Sequence, residues 1–132
     1  MKGLDTNVLV RYLVGDDRSQ TGRAVAFIGE ATARGGTCFI NTIVLCETVW
    51  VLESAYGYGR DEIAAVLEKM LATRQLEFES KELVRAAVSD YRAGSGDLAD
   101  FLIGRVNAAY GCDCTATFDR KLKKSPLFEL LE

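Results

Sequence analysis

The sequence contains no histidine among its 132 residues. This absence excludes the Ser-His-Asp and Cys-His arrangements of nucleophilic catalysis, nucleases that rely on histidine acid–base chemistry, and most zinc hydrolases, because all of them need an imidazole. A hydrolase built from this chain must therefore depend on carboxylates and hard metal ions.

Long apolar runs and targeting signals are also missing. No stretch approaches the roughly 18 consecutive apolar residues that a transmembrane helix needs. The start of the chain lacks the cationic region and small-residue cleavage site of a signal peptide. We therefore expect a cytoplasmic protein without a membrane partner.

The four cysteines form no C-x-x-C pair, and a four-thiolate zinc site has the wrong spacing. Cys112 and Cys114 alternate as they would on one face of a strand. We expect all four to be small buried hydrophobes in a reducing compartment. Glycine-rich nucleotide loops are absent too, since Gly94 and Gly96 lack the rest of either fingerprint.

Short β-like runs alternate with amphipathic helical segments, without repeats or a linker, which predicts one domain over residues 1–132. The alternation indicates an α/β fold with a central, mainly parallel sheet of about four to five strands and helices on both faces. Ligands of such sheets gather outside the carboxyl ends of the strands. The predicted strands are 2–5, 37–40, 76–79 and 112–118, followed by a final apolar piece, and the predicted helices are 7–14, 19–34, 42–57, 60–73, 83–91 and 97–110.

Acidic residues stand at the predicted junctions between strands and helices. Asp5 follows the first strand, and Asp119 follows the strand 112–118; their structural alternatives are a helix N-cap and a turn residue. Asp97 and Asp100 lie three apart, in the spacing of a capping box. Each of these alternatives is sufficient for one residue taken alone.

Glu47 is harder to explain structurally, because it interrupts a helix that is apolar nearly all round and is therefore expected to be buried. A buried, ionised glutamate needs a partner, either a distant arginine or a metal ion. Carboxylates at junctions of one sheet can converge on a small volume, where repulsion requires a cation or raised pKa values. Oxygen-only ligands select Mg²⁺ or Mn²⁺ rather than zinc.

Four segments in this order, LDTNVLVRYLVGDD, NTIVLCETVWVLE, DLADFLIG and TATFDRKL, cover the start, middle and end of the chain. With them the whole chain resembles PIN-domain ribonucleases, specifically the VapC-type toxins of toxin–antitoxin pairs. The resemblance implies a PIN-like domain that hydrolyses RNA phosphodiester bonds with one or two Mg²⁺ or Mn²⁺ ions and a metal-activated water. It also implies a homodimer and a small antitoxin whose tail blocks the acidic site.

Carried over residue by residue, the resemblance assigns catalysis and metal binding to four carboxylates: Asp5, Glu47, Asp100 and Asp119. Supporting polar roles fall on Asp97, Thr6, Asn7 and Thr117. RNA contacts are predicted for a basic run directly after Asp119 and for one arginine about a helical turn beyond Asp5: Arg120, Lys121, Lys123 and Arg11. A solvated surface without a ligand is the alternative for these cations.

Two apolar segments, Ile63–Leu71 and Trp50 with Leu52, could serve the protein interfaces, with core packing as the alternative. A haloacid-dehalogenase-type phosphatase is disfavoured because it needs a second aspartate where this chain has Asn7. The main non-enzyme alternative is a catalytically weak PIN-fold module that binds RNA or protein.

Overall fold

Strands and helices alternate along the chain, and every pair of neighbouring strands is parallel. The computed structural model describes all residues from Met1 to Glu132, which form two compact units, Met1–Glu79 and Ser80–Glu132. The predicted α/β class with parallel pairing is confirmed. The five strands are divided into a three-stranded sheet in the first unit and a two-stranded sheet in the second.

The first unit has the strand order β1-β2-β3, with β2 in the centre. Because parallel neighbours need a crossover connection, two helices lie between each pair of consecutive strands. The elements in chain order are β1 (Lys2–Gly3), α1 (Thr6–Val14), α2 (Arg18–Thr32), β2 (Cys38–Ile40), α3 (Thr42–Ser54), α4 (Arg60–Leu71) and β3 (Leu76–Phe78).

Apolar side chains from the central strand and the helices fill the core of the first unit. Leu9, Ile40, Leu45 and Ile63 are at most 1% exposed. The stripe on α4 belongs to this core, since Leu67, Met70 and Leu71 are also buried. The suggestion that Ile63–Leu71 serves an interface is therefore wrong, and the same holds for the buried Leu52.

The second unit consists of two helices and two parallel strands. Its elements are α5 (Lys81–Ala93), α6 (Leu98–Ala109), β4 (Thr115–Thr117) and β5 (Phe128–Leu130), and a 3₁₀ turn at Arg120–Leu122 precedes β5. Tyr91, Leu98 and Leu122 are buried there. A membrane-spanning helix is not found among the six helices of the chain.

The cysteines correct one expectation. Cys38 is buried and Cys46 is half-buried, but Cys112 and Cys114 are exposed. The strand predicted at 112–118 begins only at Thr115, after a turn in which Gly111 has a left-handed φ of 97°. The alternating positions of Cys112 and Cys114 are compatible with a turn as well as with a strand, so this pattern does not predict whether the two side chains are buried.

Glycines on two helices allow a test of packing around α6. A β-carbon at Gly104 would lie 3.0 Å from the Phe128 ring and 3.3 Å from Leu127 Cβ, whereas one at Gly29 on α2 would meet nothing within 4 Å. Gly29→Ala should stabilise the protein by about 0.5–1 kcal/mol because alanine is the better helix former. Gly104→Ala should destabilise it by about 1 kcal/mol or more because overpacking exceeds that gain.

Urea unfolding followed by circular dichroism measures both changes. Equal stabilisation by the two substitutions would show that β5 is not packed closely against α6.

Candidate active site

Asp5 lies two residues after the end of β1 and directly before α1. Its backbone is extended, and its Oδ1 accepts a hydrogen bond of 3.0 Å from the Val8 amide, so it is the N-cap of the helix. The helix ends at Gly15, whose φ of 71° suits glycine. Capping occupies one carboxylate oxygen of this exposed side chain and leaves Oδ2 available. The N-cap and metal-ligand interpretations of Asp5 are therefore compatible.

Glu47 lies on an exposed face of α3, and the prediction that it is buried is wrong. Ile43 and Trp50, one turn before and after it, are 72% and 68% exposed. When apolar residues lie on nearly every side of a helix, the sequence does not show which side faces water. The sequence pattern therefore could not identify the exposed face that carries Glu47. No lysine or arginine forms an ion pair with Glu47, so the structural alternative of a distant arginine partner is not found.

A hydrogen bond connects Glu47 with the start of α1. The Thr6 hydroxyl donates to Glu47 Oε1 at 2.9 Å, across 41 residues of sequence. Thr6 directly follows Asp5, so the contact brings Glu47 next to the segment that carries Asp5. Within the first unit the structure thus associates three of the predicted site residues, and the adjacent Asn7 is exposed.

Glu79 is a polar residue of the same region that the sequence reasoning did not single out. It follows β3, and its Oε1 accepts a hydrogen bond of 2.7 Å from the Thr42 amide at the start of α3. Asn41 caps the same helix by accepting from the Val44 amide at 2.8 Å. The rule that ligands and caps gather at the carboxyl ends of parallel strands could have found Glu79.

Asp97 and Asp100 form the predicted capping box at the start of α6, in the second unit. The Asp97 amide donates to Asp100 Oδ2 at 2.9 Å. Asp97 is exposed and Asp100 is half-buried. The Asp100 carboxylate therefore lies in the first turn of the helix, near the positive end of the helix dipole.

Asp119 begins the 3₁₀ turn after β4, in agreement with its interpretation as a turn residue. Its Oδ1 accepts from the Lys121 amide at 2.9 Å, and its Oδ2 lies 3.8 Å from the Lys121 ammonium. Thr117 supports the segment because its hydroxyl oxygen accepts from the Asp119 amide at 3.1 Å. Arg120 and Lys123 are exposed and form no ion pair.

Arg11 is held inside the first unit by three polar side chains. Its guanidinium donates to Gln20 at 2.7 Å, to Asp16 at 3.0 Å and to the Tyr56 hydroxyl at 3.1 Å. Tyr56 in turn donates to the other oxygen of Asp16 at 2.7 Å. This network ties α1 and α2 to the segment after α3, and an RNA contact by Arg11 stays a prediction.

Hydrogen bonding in this network changes the acidity of its members. The hydrogen bond from the Tyr56 hydroxyl, with smaller contributions from a backbone amide and the Arg11 guanidinium, lowers the pKa of Asp16 below its ordinary value of 3.8. The bond to the Asp16 carboxylate raises the pKa of Tyr56. Both shifts favour the ionised carboxylate and the protonated phenol that the network uses.

A cavity of about 740 Å³ lies beside Asp5, between α1 and α2. Apolar side chains, among them Val8 and Phe27, line much of it. Arg11 and Arg23 also reach its wall, so the cavity combines an apolar surface with one carboxylate and two cations.

The candidate carboxylates fit the ligand chemistry of a hard divalent cation. All donors are oxygen atoms, and Asp5, Glu47 and Asp100 each use only one carboxylate oxygen in the hydrogen bonds described above. Neither unit by itself contains a group of three or more acidic or cysteine side chains that could hold a metal ion. Joint action of the four carboxylates stays a prediction.

Comparison with known proteins identifies similar chains. The family model of the PIN domain matches residues 3–126. A VapC ribonuclease of Aquifex aeolicus (strain VF5) is 30% identical over 124 residues, which cover 94% of this chain and 91% of the relative. No solved structure matches significantly.

The Arg11 network predicts a pH-dependent contribution to stability. Because the pKa of Asp16 is lowered in the folded state, its contribution is present above its unfolded value of 3.8 and is lost as the pH falls through the folded value. Asp16→Asn should therefore destabilise the protein at about pH 6, with the difference from the parent shrinking toward about pH 3. Urea unfolding of the parent and the variant at both pH values measures this difference in stability.

Tyr56→Phe serves as the matched variant, since it removes the hydroxyl that contributes most to the shift. It should reproduce part of the same pH dependence. A destabilisation by Asp16→Asn that is equal at both pH values would contradict the role assigned to the ionised carboxylate.

Proposed function

The chain belongs to the PIN-domain family, and we propose that it is a VapC-type ribonuclease toxin that hydrolyses RNA phosphodiester bonds. The observation that carries this proposal is the 30% identity to a VapC ribonuclease over 94% of the chain. We take residues 1–132 to act as one catalytic domain, since a single family model matches residues 3–126.

Four carboxylates would hold one or two Mg²⁺ or Mn²⁺ ions in this proposal: Asp5, Glu47, Asp100 and Asp119. The exposed or half-buried positions of these side chains and their oxygen chemistry support it. A bound divalent ion supplies an activated water and neutralises negative charge on the phosphate.

The remaining residues of the site orient these carboxylates. Thr6 holds one oxygen of Glu47 by its hydroxyl, and the Asp97 amide holds one oxygen of Asp100. Each bond restricts the rotation of a carboxylate and leaves the other oxygen for a ligand. Thr117 supports the backbone at Asp119, and Lys121 places a positive charge beside it.

Control by an antitoxin is part of the proposal. The cavity beside Asp5 has the volume and the apolar lining to receive a segment of a partner chain, and a basic side chain of that segment would meet the Asp5 carboxylate. Homodimerisation is proposed from the family, and the exposed Ile43 and Trp50 of α3 offer an apolar surface for it.

Removal of single carboxylates tests the site. Asp5→Asn and Asp100→Asn should each reduce RNA cleavage by at least about a hundredfold, because they remove a charged ligand. Asparagine is as good an N-cap as aspartate, so Asp5→Asn should keep α1 intact. Gel analysis of total RNA measures cleavage, and Asp61→Asn, an exposed substitution on α4, is the control.

Undiminished cleavage by both site variants would show that the carboxylates are assigned wrongly. RNA binding by the parent protein without any metal-dependent cleavage would favour the alternative, a PIN-fold binding module.

Metal removal tests the cofactor separately. Chelation by EDTA should abolish cleavage, and Mg²⁺ or Mn²⁺ should restore it. The same ions should raise the melting temperature of the parent, because a ligand of the folded state stabilises it, and should do so less in Asp5→Asn and Asp100→Asn. Cleavage that persists in EDTA would contradict a metal-dependent mechanism.

A further inference from the structure

A small pocket of about 230 Å³ lies in the second unit, and none of the four proposed metal-binding carboxylates is among its lining residues. It is formed by the end of α5, the loop that leads into α6, Phe101 on α6, and the 3₁₀ turn with the segment that follows it. Its polar lining includes Ser95, Lys121, Lys124 and Ser125. Only Lys121 of these four is among the residues for which the sequence predicts an RNA contact.

The charge of this pocket is positive. Asp90 is the one carboxylate in its wall, and both its oxygens accept hydrogen bonds from Arg105, at 2.7 and 2.8 Å. The positive charge of Arg105 thus balances the negative charge of Asp90. Lys121 has a long ion pair of 3.8 Å with Asp119, and Lys124 has none, so the two ammonium groups leave an excess of positive charge.

Hydroxyl groups add hydrogen-bond donors to this charge. The Ser125 oxygen accepts from the Leu127 amide at 3.3 Å, which leaves its own proton free to be donated. Ser95 is exposed, and its hydroxyl can serve as a further donor in the pocket wall. Two ammonium groups and two hydroxyl donors around a small cavity suit a phosphate oxyanion.

The loop at the pocket is shaped by close packing. A β-carbon at Gly94 would lie 2.8 Å from the Phe101 ring and 2.9 Å from the Asp90 carbonyl oxygen. Glycine at this position therefore lets the loop lie against α6 and fixes Ser95 at the pocket. The same loop continues directly into Asp97, and Lys121 contacts Asp119, so the pocket adjoins two segments of the proposed active site along the chain.

We propose that this pocket binds a backbone phosphate of the RNA substrate, next to the phosphate that is cleaved. The inference rests on the proposed ribonuclease function and adds a subsite to it. Lys124 and Ser95 are the residues that it newly assigns. A phosphate held here fixes the register of the strand without reading a base, because phosphate contacts position the nucleic acid and carry no sequence information.

Binding of a radiolabelled single-stranded oligoribonucleotide, measured by filter retention in EDTA over a series of salt concentrations, tests the subsite. Lys124→Ala should weaken binding by roughly fivefold to tenfold and reduce the slope of log Kd against log salt by about one, since one phosphate contact is lost. Ser95→Asp should weaken binding further, because its carboxylate repels the phosphate.

The matched controls are Lys69→Ala on α4 and Ser89→Asp on α5, both exposed positions outside the pocket. They should leave the affinity and the salt slope at the parent's values. If the parent binds and cleaves RNA, and Lys124→Ala and Lys69→Ala have the same RNA affinity and salt slope, the subsite is overturned and the proposed function is left intact. A parent that neither binds nor cleaves RNA would overturn the proposed function itself.

Discussion

Parallel pairing of β1, β2 and β3 brings the carboxyl ends of all three strands to one edge of the first sheet. At this edge Asp5 and Asn41 cap the helices that follow, and Glu79 accepts an amide at the start of α3. The unpaired amides and the positive ends of helix dipoles lie at these starts and stabilise negative charge. The topology itself therefore creates a place for carboxylates before any catalytic role is considered.

The candidate carboxylates share one arrangement in both units. Asp5, Asp100 and Asp119 each accept a backbone amide with one oxygen, and Glu47 accepts the Thr6 hydroxyl in the same way. A charge-assisted bond to a fixed donor restricts the carboxylate to one orientation and removes rotational entropy before a ligand arrives. One oxygen of each group is thus used in a bond within the protein, and the proposed metal binding would use the other.

Hydrophobic periodicity predicted most elements to within a few residues. The helix expected at 7–14 is Thr6–Val14, and the one expected at 60–73 is Arg60–Leu71. The spacing of Asp97 and Asp100 predicts the observed capping box, because a capping box depends only on residues three apart in sequence. The prediction of burial is wrong where the local sequence does not show which side of an element faces the core. This is the case at Glu47 on α3 and at Cys112 and Cys114 before β4. The sequence also does not predict the hydrogen-bond network of Arg11, because Tyr56 lies 45 residues from Arg11 in the chain.

The exposed face of α3 has a consequence for observing the protein. Trp50 is the only tryptophan of the chain and lies one turn from Glu47, 68% exposed. Its intrinsic emission should resemble that of indole in water and should shift to shorter wavelength when a ligand or partner covers this face. Because the indole is already solvated, the same emission should change little when the core unfolds. The protein thus carries a natural fluorophore that reports on occupancy of one surface more than on the integrity of its fold.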